Sequence, residues 1–211
     1  MYYKALNRGV LELLPAYRPL ILLDWGCGDA LGSLTLQASG VRVLLYDPMP
    51  YVQDRIAARF SEEPDIRVLS ADELASWTPQ SIDAILIFSV LQYVSRDEFK
   101  KLLPRLRELL APGGMLLLGD IVSPSLSMFT DALDLLRAGF RHGFFFDAIV
   151  GIVVTLFSDY RSVRNASGFT TYREEEMTDL LRSYGFSAER MPKNLGLSEH
   201  RILIRAIKAK V

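Results

Sequence analysis

The sequence has a single cysteine and only two histidines among its 211 residues. One cysteine cannot form an intramolecular disulfide or a multi-cysteine metal site, so we predict no metal centre. Lysine and arginine together number 24, against 25 aspartates and glutamates, which gives a formal net charge of −1. Because binding to a phosphate backbone needs a basic surface, this balance argues against nucleic acid as a partner.

The first residues also contain no long apolar core, so we predict no secretory signal there. We therefore expect a cytoplasmic protein. The longest apolar stretch, residues 143–157, is shorter than the ~20 residues that cross a bilayer, and Asp147 interrupts it. We predict no stable membrane span, although a buried helix, a substrate lid and a membrane-surface element all remain compatible with this stretch.

The length fits one domain, residues 1–211, with a sizeable core. Apolar runs alternate with helical patterns, which predicts an α/β fold with a doubly wound, mostly parallel sheet of seven strands and helices on both faces. The last two strands, joined by a short loop, predict an antiparallel hairpin at the sheet edge. The first predicted strand is the apolar run that ends at Asp24, and the other strands are predicted at 41–46, 66–69, 82–88, 115–121, 187–191 and 201–207. Helices are predicted at 2–14, 31–38, 51–60, 97–110 and 174–184.

Residues 122–171 interrupt the alternation and predict a helical insertion after the fifth strand, acting as a lid or substrate cap. Its aromatic side chains, Phe144 and Phe145 among them, would line a pocket for an apolar or aromatic small molecule. The same side chains could instead pack on the sheet or bury a homodimer interface. His142 in this insertion is a candidate catalytic base, with a solvated position at a helix end as the alternative.

Residues 20–32 read Leu-Ile-Leu-Leu-Asp-Trp-Gly-Cys-Gly-Asp-Ala-Leu-Gly, the order of a buried strand, a tight glycine turn and a helix start. Such a turn predicts a nucleotide-like cofactor. The nicotinamide fingerprint places its third glycine at the sixth position, which is Leu31 here. The carboxylate of Asp24 suits an ammonium or sulfonium charge, which favours S-adenosylmethionine over a dinucleotide.

Four polar residues follow the predicted strands at or near their carboxyl ends, namely Asp47, Asp72, Ser89 and Asp120. Right-handed crossovers bring the carboxyl ends of parallel strands to one edge of a sheet. We therefore predict a shared site there. The alternative for Asp47 and Asp72 is a helix N-cap or turn, for which aspartate is well suited.

Five motifs in order resemble the Rossmann-like (class I) S-adenosylmethionine-dependent methyltransferases, over about residues 20–121 and 172–207. Ala30 departs from the glycine that is usual in the signature turn. The motifs are Leu-Leu-Asp-Trp-Gly-Cys-Gly, Leu-Leu-Tyr-Asp-Pro, Ser-Ala-Asp-Glu-Leu, Phe-Ser-Val-Leu-Gln-Tyr-Val and Leu-Ala-Pro-Gly-Gly-Met-Leu-Leu-Leu.

The resemblance implies S-adenosylmethionine as the cofactor and a role for each matching residue. The glycine turn would approach the methionine part, an acid after the second strand would bind the ribose, and an acid after the third would bind the adenine. The implied cofactor residues are Asp24, Gly26, Cys27, Gly28, Asp47, Pro48, Ala71, Asp72, Phe88 and Ser89; candidate substrate-pocket residues are Tyr3, Tyr93, Asp120, Phe144 and Phe145.

The implied activity is methyl transfer to an oxygen, nitrogen or carbon nucleophile of a small molecule. Two alternatives stay open. A protein of this fold can bind cofactor or a partner without catalysis, because fold alone does not settle function. A nicotinamide-dependent oxidoreductase shares the strand–turn–helix, but Leu31 and the closing hairpin count against it.

Overall fold

The computed structural model describes residues 2–17, 19–126, 170–196 and 198–209, with the side chains of residues 2–4 left out. Strands and helices alternate along the chain as the sequence predicts. A single 3₁₀ turn, Leu91–Tyr93, follows the fourth strand. The elements are α1 (Tyr2–Leu13), β1 (Leu20–Trp25), α2 (Ser33–Gln37), β2 (Val41–Tyr46), α3 (Pro50–Arg59), β3 (Ile66–Val68), α4 (Ala71–Ser76), β4 (Ile82–Phe88), α5 (Arg96–Leu109), β5 (Leu110–Ile121), α6 (Glu174–Ser183), β6 (Phe186–Arg190) and β7 (Ile202–Lys208).

The seven strands form one sheet in the order β3-β2-β1-β4-β5-β7-β6. Strands β1 to β5 run parallel, and β7 pairs antiparallel with both β5 and β6. The chain reverses its direction across the sheet between β1 and β4. In open α/β sheets, ligands bind beyond the carboxyl ends of the strands at such a switch point.

Each face of the sheet is covered, because successive strand residues point to opposite sides. On one side, Leu22 and Leu45 pack with α1, α2 and α3. On the other, Leu23 and Leu116 pack with α4, α5 and α6. The predicted doubly wound sheet with its C-terminal antiparallel strands is confirmed.

Several boundaries differ from those predicted. The helix after the glycine turn begins at Ser33 rather than Leu31, and β5 begins at Leu110 rather than Met115. The sequence analysis missed α4, whose N-cap Ser70 accepts from the Glu73 amide while the Glu73 carboxylate accepts from the Ser70 amide. Most of the predicted insertion, 127–169, lies outside the described residues. None of the described helices is long and apolar enough to span a membrane.

Candidate active site

The glycine turn after β1 is held against the end of β2 by three consecutive backbone amides. The amides of Gly26 and Cys27 both donate to the Tyr46 carbonyl, at 2.7 and 3.1 Å. The next amide, of Gly28, donates to the Asp47 carboxylate at 3.0 Å. These bonds fix the turn at the carboxyl edge of the sheet, where the site was predicted.

Glycine is suited to positions 26 and 28 of this turn for different structural reasons. Both adopt positive φ, +76° at Gly26 and +53° at Gly28, which favours glycine. A Cβ on Gly26 would lie 2.5 Å from a methyl of Val90, whereas nothing lies within 4 Å of a Cβ position on Gly28. Gly26 therefore allows close packing inside the protein, and Gly28 leaves its outer face open.

A cavity of about 330 Å³ lies beside the turn, beyond β1, β4 and β5. Its described lining includes seven residues that the sequence analysis named, six as cofactor residues and Asp120 as a substrate residue. Residues that it missed also contribute, among them Leu6 and Asn7 from α1. The lining comprises Leu6, Asn7, Asp24, Gly26, Cys27, Gly28, Asp29, Ala30, Leu31, Gly32, Ser33, Leu86, Phe88, Ser89 and Asp120.

Asp24, near the end of β1, is a carboxylate that has no counter-charge among the described residues. Burial first, and the neighbouring Asp47 carboxylate second, raise the pKa of Asp24 from 3.8 to about 7. Among the described residues, its side chain has neither a hydrogen bond nor an ion pair. A cation bound in the cavity would lower the pKa of Asp24, because it would favour the ionised carboxylate.

Cys27 is partly buried in the turn. Burial, followed by the charges of Asp24 and Asp47, raises the pKa of its thiol far above the usual value. Because the thiolate is the reactive form, the raised pKa disfavours reaction of this thiol at neutral pH. Cys27 therefore fills space in the loop, as its small apolar side chain suggests.

Asp47, directly after β2, is 8% exposed and holds the local backbone together. One carboxylate oxygen accepts from the Gly28 amide and the other from the Met49 amide, both at 3.0 Å. Its own carbonyl accepts from the Gln53 side chain. Each carboxylate oxygen keeps the capacity for a further hydrogen bond.

Asp47 and the other residues predicted for the ribose and adenine are not part of the cavity lining. Pro48 is exposed beside Asp47, and Ala71 and Asp72 are exposed in the first turn of α4. The cavity therefore contains the predicted methionine end of the cofactor site, while the predicted adenine end lies on the open surface.

Phe88, the last residue of β4, shapes the cavity wall through its contact with β5. A Cβ on the paired residue, Gly119, would lie 1.9 Å from the Phe88 ring. Glycine at 119 therefore leaves the space that the Phe88 ring occupies beside β5. Phe88 thus lies where it was predicted, at the end of the fourth strand.

Ser89 and Asp120 follow on these two neighbouring strands, and both have positive φ, +59° and +61°. Such a backbone is uncommon for residues other than glycine and often marks a functional site. The Ser89 hydroxyl donates to the Asp120 carboxylate at 2.7 Å. Ser89 and Asp120 are thus brought together, as predicted.

Asp120 is also held by two residues that the sequence analysis missed. Asn194, between β6 and β7, donates its amide to one carboxylate oxygen at 2.9 Å. The Arg201 guanidinium pairs with the other oxygen at 2.9 Å, and the side chains are 17% and 11% exposed. A Cβ on Gly196 would lie 2.4 Å from Asp120, so the loop packs tightly on it.

Of the remaining substrate candidates, only Tyr93 has a described side chain. The Tyr93 ring is 61% exposed in the 3₁₀ turn and is not among the described lining residues. The side chain of Tyr3 and the whole of His142, Phe144 and Phe145 lie outside the described residues. Their roles stay predictions.

Comparison with known proteins identifies the family. A family model described as a methyltransferase domain matches residues 2–190. The sheet order and closing antiparallel strands are those of the class I methyltransferases. The chain belongs to the methyltransferase-domain family, and the prediction of a class I S-adenosylmethionine-dependent methyltransferase is confirmed.

Two curated relatives match about half of the chain. An uncharacterized methyltransferase of Mycobacterium tuberculosis is 35% identical over 118 residues, which cover 54% of this chain and 58% of the relative. Trans-aconitate 2-methyltransferase of Methylobacterium radiotolerans is 34% identical over 110 residues, which cover 51% of this chain and 40% of the relative. The chain thus matches about half the length of these relatives.

Among solved structures, the chain is similar to phosphoethanolamine N-methyltransferase 2 of Haemonchus contortus, determined with phosphomonomethylethanolamine and S-adenosylhomocysteine. The TM-score is 0.64 at 15% identity, over 96% of this chain and 52% of that one. At this identity the likeness shows the fold. The predicted cofactor, S-adenosylmethionine, is confirmed at the level of the family.

Proposed function

We propose that this protein transfers the methyl group of S-adenosylmethionine to a nucleophile of a small molecule. The observation that carries the proposal is the cavity at the switch point of the sheet, with an open face over Gly28 and an uncompensated carboxylate at Asp24. An open backbone face admits a ligand, and an unpaired carboxylate favours a cationic one.

The donor groups fit the chemistry of that cofactor. Asp24 offers a carboxylate to the ammonium or sulfonium charge, and binding there offsets the cost of ionising a buried acid. Asp47 keeps acceptor capacity on both oxygens while its bonds to the Gly28 and Met49 amides hold it in place. A carboxylate fixed in this way suits the ribose hydroxyls.

When bound, S-adenosylmethionine supplies a methyl group already activated by the adjacent sulfonium charge. The protein's part is then mainly alignment, which can supply as much as ~7–11 kcal/mol of a reaction barrier. Here the glycine turn fixes one side of the cavity and Phe88, backed by Gly119, fixes another. Ser89 and Asp120 supply polar groups on the same wall.

The acceptor is proposed to be a small apolar or aromatic molecule, methylated at oxygen, nitrogen or carbon. The support is the aromatic composition of residues 122–171, with Phe144 and Phe145 as pocket residues and His142 as a candidate base. The names of one relative, trans-aconitate 2-methyltransferase, and of one structural neighbour, phosphoethanolamine N-methyltransferase 2, support a small molecule as the acceptor, but not its apolar character. A cytoplasmic location and a possible homodimer belong to the same proposal.

Calorimetric titration of S-adenosylmethionine, S-adenosylhomocysteine and NADH tests the cofactor. We expect the first two to bind with micromolar affinity and NADH not to bind. The matched variants are Gly28→Leu, which fills the open face, and Gly40→Leu, which strains a positive-φ turn elsewhere. Only Gly28→Leu should abolish binding. Binding of NADH alone, or equal loss in both variants, would overturn the assignment.

A further inference from the structure

The wall formed by the ends of β4 and β5 carries a polar pair that the proposed cofactor contacts of Asp24 and Asp47 do not use, so Ser89, which the resemblance places among the cofactor residues, is available for another role. Ser89 and Asp120 both line the cavity, and their side chains are joined by a 2.7 Å hydrogen bond. An ionised carboxylate only accepts, so the Ser89 hydroxyl must be the donor. The proton of Ser89 is therefore engaged by Asp120.

Asp120 is fixed from behind by the closing hairpin. The Asn194 amide donates to one of its oxygens, and the Arg201 guanidinium donates to the oxygen that also accepts from Ser89. The Asp120 amide in turn donates to the Asn194 side chain at 3.2 Å. With its position fixed by the side chains of Asn194 and Arg201, Asp120 holds the Ser89 hydroxyl in one orientation.

The oxygen of Ser89, a residue of the cavity lining, is left with acceptor capacity. A hydroxyl oxygen has two lone pairs in addition to its proton. Among the described residues, no donor contacts the Ser89 Oγ; the Gln92 side chain donates to the backbone carbonyl of Ser89 instead. A molecule in the cavity that carries an O–H or N–H group would meet an oriented acceptor there.

The charges around the cavity select against anions. Three aspartates, Asp24, Asp29 and Asp120, contribute to the described lining, and no lysine, arginine or histidine does. The nearby guanidinium groups of Arg55 and Arg201 are bonded to Asp29 and Asp120. A carboxylate on the acceptor would lie among like charges without a described cation to bind.

We propose that Ser89, oriented by Asp120, receives the O–H or N–H group of the methyl acceptor, and that this group is neutral, with a lone pair for the attack, and not a carboxylate. This inference rests on the proposed function and narrows its acceptor from oxygen, nitrogen or carbon to oxygen or nitrogen. Ser89 is the group that touches the acceptor, and Asp120 is a positioning residue that acts through it.

The reaction balances without a further reagent. The acceptor atom forms its bond to the methyl carbon as the carbon–sulfur bond breaks, and the electron pair of the broken bond stays on sulfur. Positive charge then develops on the acceptor's O–H or N–H group, which strengthens its hydrogen bond to Ser89. The proton leaves to water afterwards. An interaction that strengthens in this way raises the rate and not only the affinity.

The first test measures S-adenosylhomocysteine release with matched aromatic probes: phenols, aryl amines, the corresponding benzoates and a 1,3-diketone as a carbon acid. Turnover of phenols or amines is expected. Turnover of benzoates or the diketone instead, or of no probe by a protein that binds S-adenosylmethionine, overturns the inference. Failure to bind S-adenosylmethionine overturns the proposed function itself, so the two failures are distinguishable.

The second test uses Ser89→Gly, since glycine suits a φ of +59° and removes the hydroxyl without straining the fold. We expect kcat/KM for the acceptor to fall about tenfold or more, through kcat as well as KM. Asp120→Asn should lower kcat in the same direction. The dissociation constant of S-adenosylmethionine should change by less than about threefold.

Ser81→Ala is the matched control, because Ser81 lies just before the amino end of β4 and donates to the Thr78 carbonyl. It should leave both constants unchanged. If Ser89→Gly leaves kcat/KM unaltered, or weakens cofactor binding as much as it weakens turnover, Ser89 does not receive the acceptor.

Discussion

Replacing Asp24 by asparagine should make the ligand-free protein more stable at alkaline pH. The carboxylate has a pKa of about 7 in the folded chain against 3.8 for an unperturbed group. Between these two values the folded state keeps a proton that the unfolded state has lost. Stability therefore falls as the pH rises through this window, and above it the whole cost remains.

The size of the effect follows from the pKa. A difference of about three pKa units corresponds to about 4 kcal/mol of unfolding free energy. Asp24 is partly exposed to the cavity, and solvent screening reduces this value. We expect Asp24→Asn to be more stable than the wild type by ~1–4 kcal/mol at pH 8, with the difference vanishing near pH 4.

Urea denaturation of both proteins at several pH values measures this difference, since other titrating groups cancel between them. Asp54→Asn, an exposed acid on α3, is the control and should show no pH-dependent difference. A difference between wild type and Asp24→Asn that does not change with pH would falsify the account of Asp24. Calorimetry completes the test, because the same variant should bind S-adenosylmethionine roughly tenfold or more weakly.

Three further predictions concern the turn and the cavity wall. Asp47→Ala should lower both stability and cofactor affinity by ~1–3 kcal/mol, measured by denaturation and calorimetry, because the Gly28 amide loses its partner. Gly119→Ala should cost ~1–3 kcal/mol of stability through the clash with Phe88, and combining it with Phe88→Leu should recover part of that loss. Cys27 should resist iodoacetamide at pH 8 in mass spectrometry; rapid alkylation would contradict its raised pKa.

The fold was readable from the sequence because its central strands are buried on both faces. Strands β2 and β4 begin and end at the predicted residues, since nearly continuous apolar runs bounded by polar residues or glycine leave little freedom. Helix α4 was missed although Ser70 and Glu73 carry the spacing of a capping box, a signal that could have revealed it.

The glycine turn and its neighbours were also predictable, because a tight turn after a buried strand has few alternatives. The partners of Asp120 were not. Asn194 and Arg201 lie 74 and 81 residues further along the chain, and neither belongs to a motif. Polar contacts over such separations depend on the packed hairpin. Likewise, the bond between Asp47 and the Gly28 amide becomes visible only once β1 and β2 are paired.

The contacts from Asn194 and Arg201 to Asp120 determine the order in which parts of the site can form during synthesis. The hydrogen bond from Gly28 to Asp47 joins residues 19 apart, whereas the bond from Arg201 to Asp120 joins residues 81 apart. Because chains emerge from the ribosome amino end first and fold progressively, the turn and its acid can assemble well before Asp120 is secured. Under the proposed function, the residues that bind the methyl donor assemble in a nascent chain before the residues that bind the methyl acceptor.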